Sequence, residues 1–182
     1  QMPRYVDDYR LRILPFIPVM MRYGLQLSAV ILLSMLLTKA IVDVDTHFDS
    51  WWYHLPWAAR LAGLVSAEAF VFEPVALIRF DGFPLLPELL QGLLWRATGR
   101  VESANLVSFL ALLAFLFYLA RYFRISWSIS APALLAVPLI QAQATSTYVD
   151  LVANLAMACL VLSIYLLYVR NKVSEISIWI AI

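Results

Sequence analysis

Three aspartates, two histidines and four aromatic residues are packed into the stretch "DVDTHFDSWWYHLP" (residues 43–56). Asp43, Asp45 and His47 stand at every second position, so an extended chain would project all three side chains to one side. Carboxylates with an imidazole suit a divalent metal, and an oxygen-rich set favours Mg or Mn. These three are therefore the candidate metal ligands, although Asp43 and Asp45 also have a plainer reading as solvated loop residues. Asp49 stands where a helix would begin. Its carboxylate could cap backbone N–H groups. In a partly dry pocket its pKa would instead be raised, which suits a general base. A further acid, Asp150, follows "QAQATSTYV" (141–149), whose amides and hydroxyls can bond one another, Asp150 or a polar ligand. Capping of its own helix would explain Asp150 equally well.

The elements that must position these groups are membrane elements. Of the 182 residues 63% are hydrophobic and 14% charged, with a mean hydropathy of +0.82. Soluble domains carry about 45–50% apolar and about 25% charged residues. Thirteen basic residues nearly balance twelve acidic ones, so no polyanion-binding signature is present and no nucleic-acid partner is expected. The single cysteine, Cys159, excludes a disulfide framework within the chain and a paired-cysteine metal site.

A bilayer core takes about 20 predominantly apolar helical residues. Residues 24–42, 104–120 and 151–169 qualify, residues 127–145 form a weaker span interrupted by Pro132 and Pro138, and residues 176–182 begin a fifth. The expected fold is all-α, with four complete spans and the start of another. Because the chain stops inside a fresh apolar segment, it reads as the N-terminal part of a longer protein. Arg4, Arg10, Arg12 and Arg22, then Arg121 and Arg124, then Arg170 and Lys172 fall on one side if the spans alternate. By the positive-inside rule that side is cytoplasmic. Residues 1–23 are then a cytoplasmic segment and residues 24–182 a transmembrane domain, with residues 43–103 as a long outer loop.

The outer loop carries its own helical patterns. In "SWWYHLPWAARLAGLV" (50–65) Trp52, Leu55, Ala59, Ala62 and Val65 fall near helical spacing, with Pro56 as an interruption. In "PLLPELLQGLLWRAT" (84–98) five leucines form a stripe, with Glu88, Gln91 and Arg96 off it. Both are too short and too charged to span and read as amphipathic helices lying along the membrane lipids. "FDGFP" (80–84) between them reads as a turn. Trp51, Trp52, Tyr53 and Trp57 have a ready role as interface anchors.

"FDSWWYHLP" resembles the Asp-x-x-x-Tyr-His-Leu-Pro signature of a bacterial branch of the GT-C class of polytopic glycosyltransferases, which take sugar from a polyprenyl phosphate. "FPLLPELLQGLLWRATG" resembles the segment before the second span in that branch, and "TSTYVDLVANL" the polar turn and Asp that open the fourth. The resemblance implies a multi-pass protein of the bacterial inner membrane with its N-terminus cytoplasmic and a lipid-linked sugar donor. It puts the catalytic acid on Asp49, or on Asp43 or Asp45, with Asp150 as a second pocket acid. Tyr53 and His54 would line the substrate pocket, His54 in reach of the lipid phosphate. The rival expectation is a non-catalytic transmembrane subunit whose aromatic-rich outer helices pack against partner subunits of a larger complex. A transporter fragment, using Gln141 and Gln143 in the proline-broken span, is a third reading.

Overall fold

The computed structural model describes residues 18–69, 71–82 and 84–170. Arg4, Arg10, Arg12, Lys172 and the segment 176–182 lie outside the described residues. Within them every regular element is helical. Three helices are long and apolar enough to cross a membrane: Val19–Val42, Val101–Phe123 and Asp150–Tyr168. The first, α1, has 24 residues, about 36 Å at about 1.5 Å per residue, enough for a hydrocarbon core of about 30 Å. The second consists of a 3₁₀ turn (Val101–Asn105), α5 (Leu106–Tyr118) and a closing π-helical turn (Leu119–Phe123). The third is the apolar part of α8 (Asp150–Arg170).

The second helix is the central one. Of its most apolar stretch 61% is buried, against 17% for α1 and 22% for α8, so the outer two present most of their apolar surface to the surroundings. Ala29 and Ala40 of α1, fully buried, belong to a core shared with Phe109, Leu112, Phe115 and Leu116 of α5, with Ala131 and Leu135, and with Leu151 and Leu155 of α8; α1 packs mainly against the segment that carries Ala131 and Leu135. Such small residues let helix backbones approach closely where apolar burial supplies no drive between lipid-embedded helices. A buried hydrogen bond between the Tyr118 hydroxyl and Ser163 Oγ, 2.8 Å long, ties α5 to α8.

The weak span at 127–145 is two short helices, α6 (Trp127–Leu135) and α7 (Pro138–Gln143). The cause is local. A residue before proline is pushed out of the helical region, and Val137 is extended at φ −90°, ψ 111° with Pro138 opening the next helix. Gln141 Nε2 folds back to donate to the Leu135 carbonyl, occupying an acceptor that the break sets free. The expected third span, 127–145, is therefore not one of the three continuous candidates.

Residues 50–98 form a separate helical layer across one end of the bundle. A π-helical turn (Ser50–His54) leads into α2 (Leu55–Leu61), followed by α3 (Pro74–Gly82) and α4 (Leu86–Thr98). Pro56 lies in the first turn of α2, and the wider π-turn before it accommodates the missing N–H. The turn expected at 80–84 is displaced, since Phe80–Gly82 complete α3; Phe83 lies outside the described residues. Trp57 is only 1% exposed and packs with Phe72 and Ala76 in a small core of this layer, so it is not an interface anchor, whereas Trp51 is half exposed.

Helix α4 turns its polar side inward. Glu88, Gln91 and Gly92 are its buried residues, while Leu86, Leu90 and Leu93 are exposed. Gly92 is required by the crossing with α2: a β-carbon there would overlap the Ala58 carbonyl and Ala62 Cβ. Arg96 Nη1 donates to the Ala62 carbonyl at 2.8 Å along the same contact. Gly99, at φ 71°, closes the helix in the left-handed conformation that glycine adopts without strain.

Candidate functional site

The layer and the bundle are joined at Asp45. This carboxylate is buried, and its oxygens accept from Ser50 Oγ at 2.6 Å, from the Thr147 N–H at 2.8 Å and from Thr147 Oγ1 at 3.0 Å. They also accept from the His47 N–H at 3.0 Å, and Asp45 Oδ1 meets His47 Nδ1 at 2.5 Å. Burial by itself would raise the carboxyl's pKa, but hydrogen bonds from Ser50, Thr147 and His47 outweigh it and hold the group below its ordinary range. Asp45 is thus an anion at neutral pH, held in place by donors from two segments. Gln91 Nε2 and Ser108 Oγ add bonds to the Thr147 and Ser146 carbonyls, so the 145–148 turn is pinned from three sides.

This use of Asp45 bears on the expected metal site. Among the described residues no group of three His, Cys, Asp or Glu side chains is placed to hold an ion. Asp45 spends its oxygens on protein donors, His47 turns Nδ1 toward it, and Asp43 is exposed at the end of α1 with its carbonyl accepting from Asn105 Nδ2. The residues present do not fit Mg or Mn as a resident group at 43, 45 and 47.

Asp49 is not a helix cap. Its own backbone is helical, at φ −63° and ψ −33°, and its side chain makes no capping bond. It is half-buried and accepts a long bond, 3.4 Å, from the Tyr148 hydroxyl. Asp150 is exposed in the first turn of α8, where the positive end of the helix dipole favours a carboxylate. The two acids share neighbours. Burial raises the Tyr53 phenol's pKa and the Asp49 and Asp150 charges push it further, with Arg79 opposing. Burial, then Asp49 through its charge and hydrogen bond, then the Asp45 and Asp150 charges raise the pKa of Tyr148. Asp49, Asp150, Tyr53, Tyr148 and Arg79 therefore form one electrostatic neighbourhood. Arg79 lies over the Trp52 and Tyr53 rings at 5.5 and 5.8 Å, a cation–π arrangement that holds the guanidinium against the aromatic pair.

His54 is placed otherwise than expected for a phosphate contact. Its side chain is 4% exposed, and Nδ1 lies 3.0 Å from Glu88 Oε1, itself on a side chain 3% exposed. Glu88 is the partner that sequence reasoning missed, because on a leucine-rich helix it looks like an ordinary polar-face residue. Tyr148, which touches His47, His54 and Asp49, was singled out by no motif either.

Beside this neighbourhood lies a cavity of about 300 Å³ lined by His47, Leu139, Ala142, Gln143, Ser146 and Tyr148. A second, open groove of about 430 Å³ runs along the end of α1 past Lys39 and Asp43. No protein-family model matches the chain, and neither a curated protein nor a solved structure matches it.

Proposed function

We propose that this chain is part of a membrane glycosyltransferase of the GT-C kind, moving a sugar from a polyprenyl-phosphate donor to an acceptor hydroxyl at the outer face of a bacterial inner membrane. In this reading the bundle crosses four times, with the α6–α7 pair as the broken third crossing and the N-terminus cytoplasmic. The observation that carries it is Asp49: a half-buried carboxylate free of any capping duty, bonded to Tyr148 and sharing its electrostatic surroundings with Asp150. Asp49 would take the acceptor proton as the acceptor oxygen bonds to the anomeric carbon. The bond from that carbon to the phosphate oxygen breaks, and polyprenyl phosphate leaves. Asp150 would stabilise the positive charge that develops on the sugar. Arg79, stacked on Trp52 and Tyr53, is the cation suited to the donor phosphate. Glu88 orients His54 at the wall of the site.

The competing reading, a non-catalytic subunit, draws on the outward leucines of α4, a surface that a partner subunit could cover. Transfer from a labelled polyprenyl-phosphate sugar by the whole protein in proteoliposomes separates the two. Asp49→Asn should lower the rate by about 10²–10⁴, the usual contribution of a positioned base. A wild-type protein without transfer, or an Asp49→Asn variant at full rate, would end the transferase assignment.

A further inference from the structure

We infer that the cavity beside His47 binds a neutral, hydroxyl-rich ligand about the size of one sugar ring. Its identification as the acceptor of the transfer rests on the function proposed above. The volume, about 300 Å³, lies at the small end of the range for small-molecule sites, about 300–1,000 Å³. Its lining mixes apolar Leu139 and Ala142 with His47, Gln143, Ser146 and Tyr148; the Ser146 hydroxyl already donates to the Gln143 carbonyl and the Tyr148 hydroxyl to Asp49, so the His47 ring and the Gln143 amide are the groups that face a ligand. The His47 and Tyr148 rings meet edge to face at 5.4 Å and make one corner of it.

The imidazole is what gives the cavity its selectivity. Asp45 is an anion saturated with donors, and His47 Nδ1 lies against it. An acceptor-only partner fixes the proton of the neutral ring on Nδ1, which makes Nε2 a hydrogen-bond acceptor. A ligand hydroxyl can donate to Nε2 and accept from the Gln143 amide. The carboxylates next to the lining are Asp45 against His47 and Asp49 against Tyr148, and among the described residues no lysine or arginine contributes to it. A phosphate or carboxylate ligand would be repelled by the carboxylates that back two of the lining residues, whereas a neutral polyol would not. The donor phosphate and the acceptor hydroxyl would then occupy different ends of the site, Arg79 serving the first and the cavity the second.

Saturation-transfer NMR on the whole protein, in a detergent without a sugar headgroup, tests the assignment. The probes are methyl α-D-mannopyranoside and myo-inositol, with inorganic phosphate as the anionic control. Both polyols should receive saturation, and phosphate should not displace them. Ala142→Trp fills the cavity from an exposed position and should abolish the signal. His47→Asn keeps a donor for Asp45 where Nδ1 was but removes Nε2, and should weaken the signal at least about five-fold. His47→Gln, which restores an amide at the Nε2 position, should recover at least about half. No polyol signal, an undiminished signal in both Ala142→Trp and His47→Asn, or displacement by phosphate would overturn the assignment. The transfer assay fails separately. Polyol binding with the expected variant losses but no sugar transfer would leave the ligand assignment standing and remove the transferase. Transfer with an acceptor KM unchanged in Ala142→Trp would remove the cavity alone.

Discussion

Two carboxylate–imidazole pairs stand in and beside the helical layer of residues 50–98, and they differ in what surrounds them. Glu88–His54 is sealed, with both side chains under 5% exposed, and it joins α4 to the π-turn before α2. Asp45–His47 is half open: the carboxylate is 1% exposed and the imidazole 55%. In the sealed pair each group depends heavily on the other, and Glu88 Oε2 has no hydrogen-bond partner among the described residues. In the open pair Asp45 has further donors in Ser50 and Thr147, and His47 is one partner among several. The same chemistry is thus structural in one place and available to a ligand in the other. Redundancy of donors makes the difference.

Removing one partner of the sealed pair is the most damaging test. Glu88→Ala should lower stability by about 3–5 kcal/mol if the pair is ionic, read as a fall in the thermal midpoint in detergent. Replacing both members, Glu88→Leu with His54→Phe, should recover most of that loss, because an apolar pair of similar size needs no buried partner. A double variant as unstable as Glu88→Ala would show that the pair does more than satisfy itself. Next in size is Gly92→Ala. Its methyl group would push against the Ala58 carbonyl and Ala62, separating α2 from α4 at a cost of about 1–3 kcal/mol. Because that crossing holds Glu88 against His54, the variant should also speed hydrogen exchange through residues 50–61. Unchanged exchange there would uncouple the crossing from the pair.

How legible these pairs were in the sequence follows from what each depends on. The long apolar runs at α1, α5 and α8 announce themselves by length alone, since few other structures use about 20 apolar residues in succession. The 127–145 break was visible as Pro132 and Pro138, but whether a proline kinks a helix or divides it depends on what fills the freed acceptors, here Gln141. On α4 the leucine stripe and the polar stripe were both readable. Periodicity gives two faces and does not say which medium each meets, so the burial of Glu88 and Gln91 was hidden. Asp45 was flagged for its place in an alternating pattern. Its alternation with Asp43 and His47 resembles a ligand set, yet the residue that completes its surroundings is Thr147, 102 positions away. Contacts of that separation leave no local pattern.

Asp45 also predicts a pH dependence of modest size. Its folded-state pKa is below the ordinary value of 3.8, so the unfolded chain binds this proton more readily than the folded one. The stabilisation is complete above the unfolded value and is lost as pH falls through the folded one. Thermal midpoints should therefore be flat in this contribution from neutral pH down to about 4 and fall below it. Asp45→Asn should be less stable than the wild type at neutral pH and show a shallower decline in acid. A variant that kept the wild-type acid slope would assign that slope to other carboxylates.

The smallest effect is expected at His47. Its ring is more than half exposed and its bond to Asp45 is one of several. Exposed and partly exposed ion pairs contribute about 0–1 kcal/mol, and His47→Ala should stay within that range in thermal unfolding. The same substitution at His54 removes the partner of a buried carboxylate and should cost several times more. Stability and binding should therefore separate at the two histidines. His54→Ala would lose both together because the layer loosens, whereas His47→Ala would keep the fold and lose the polyol signal. If His47→Ala proved as destabilising as His54→Ala, the open pair would be a structural clasp like the sealed one, and the cavity beside it would be a packing gap. A folded His47→Ala protein that no longer binds leaves ligand contact as the reason a histidine stands there.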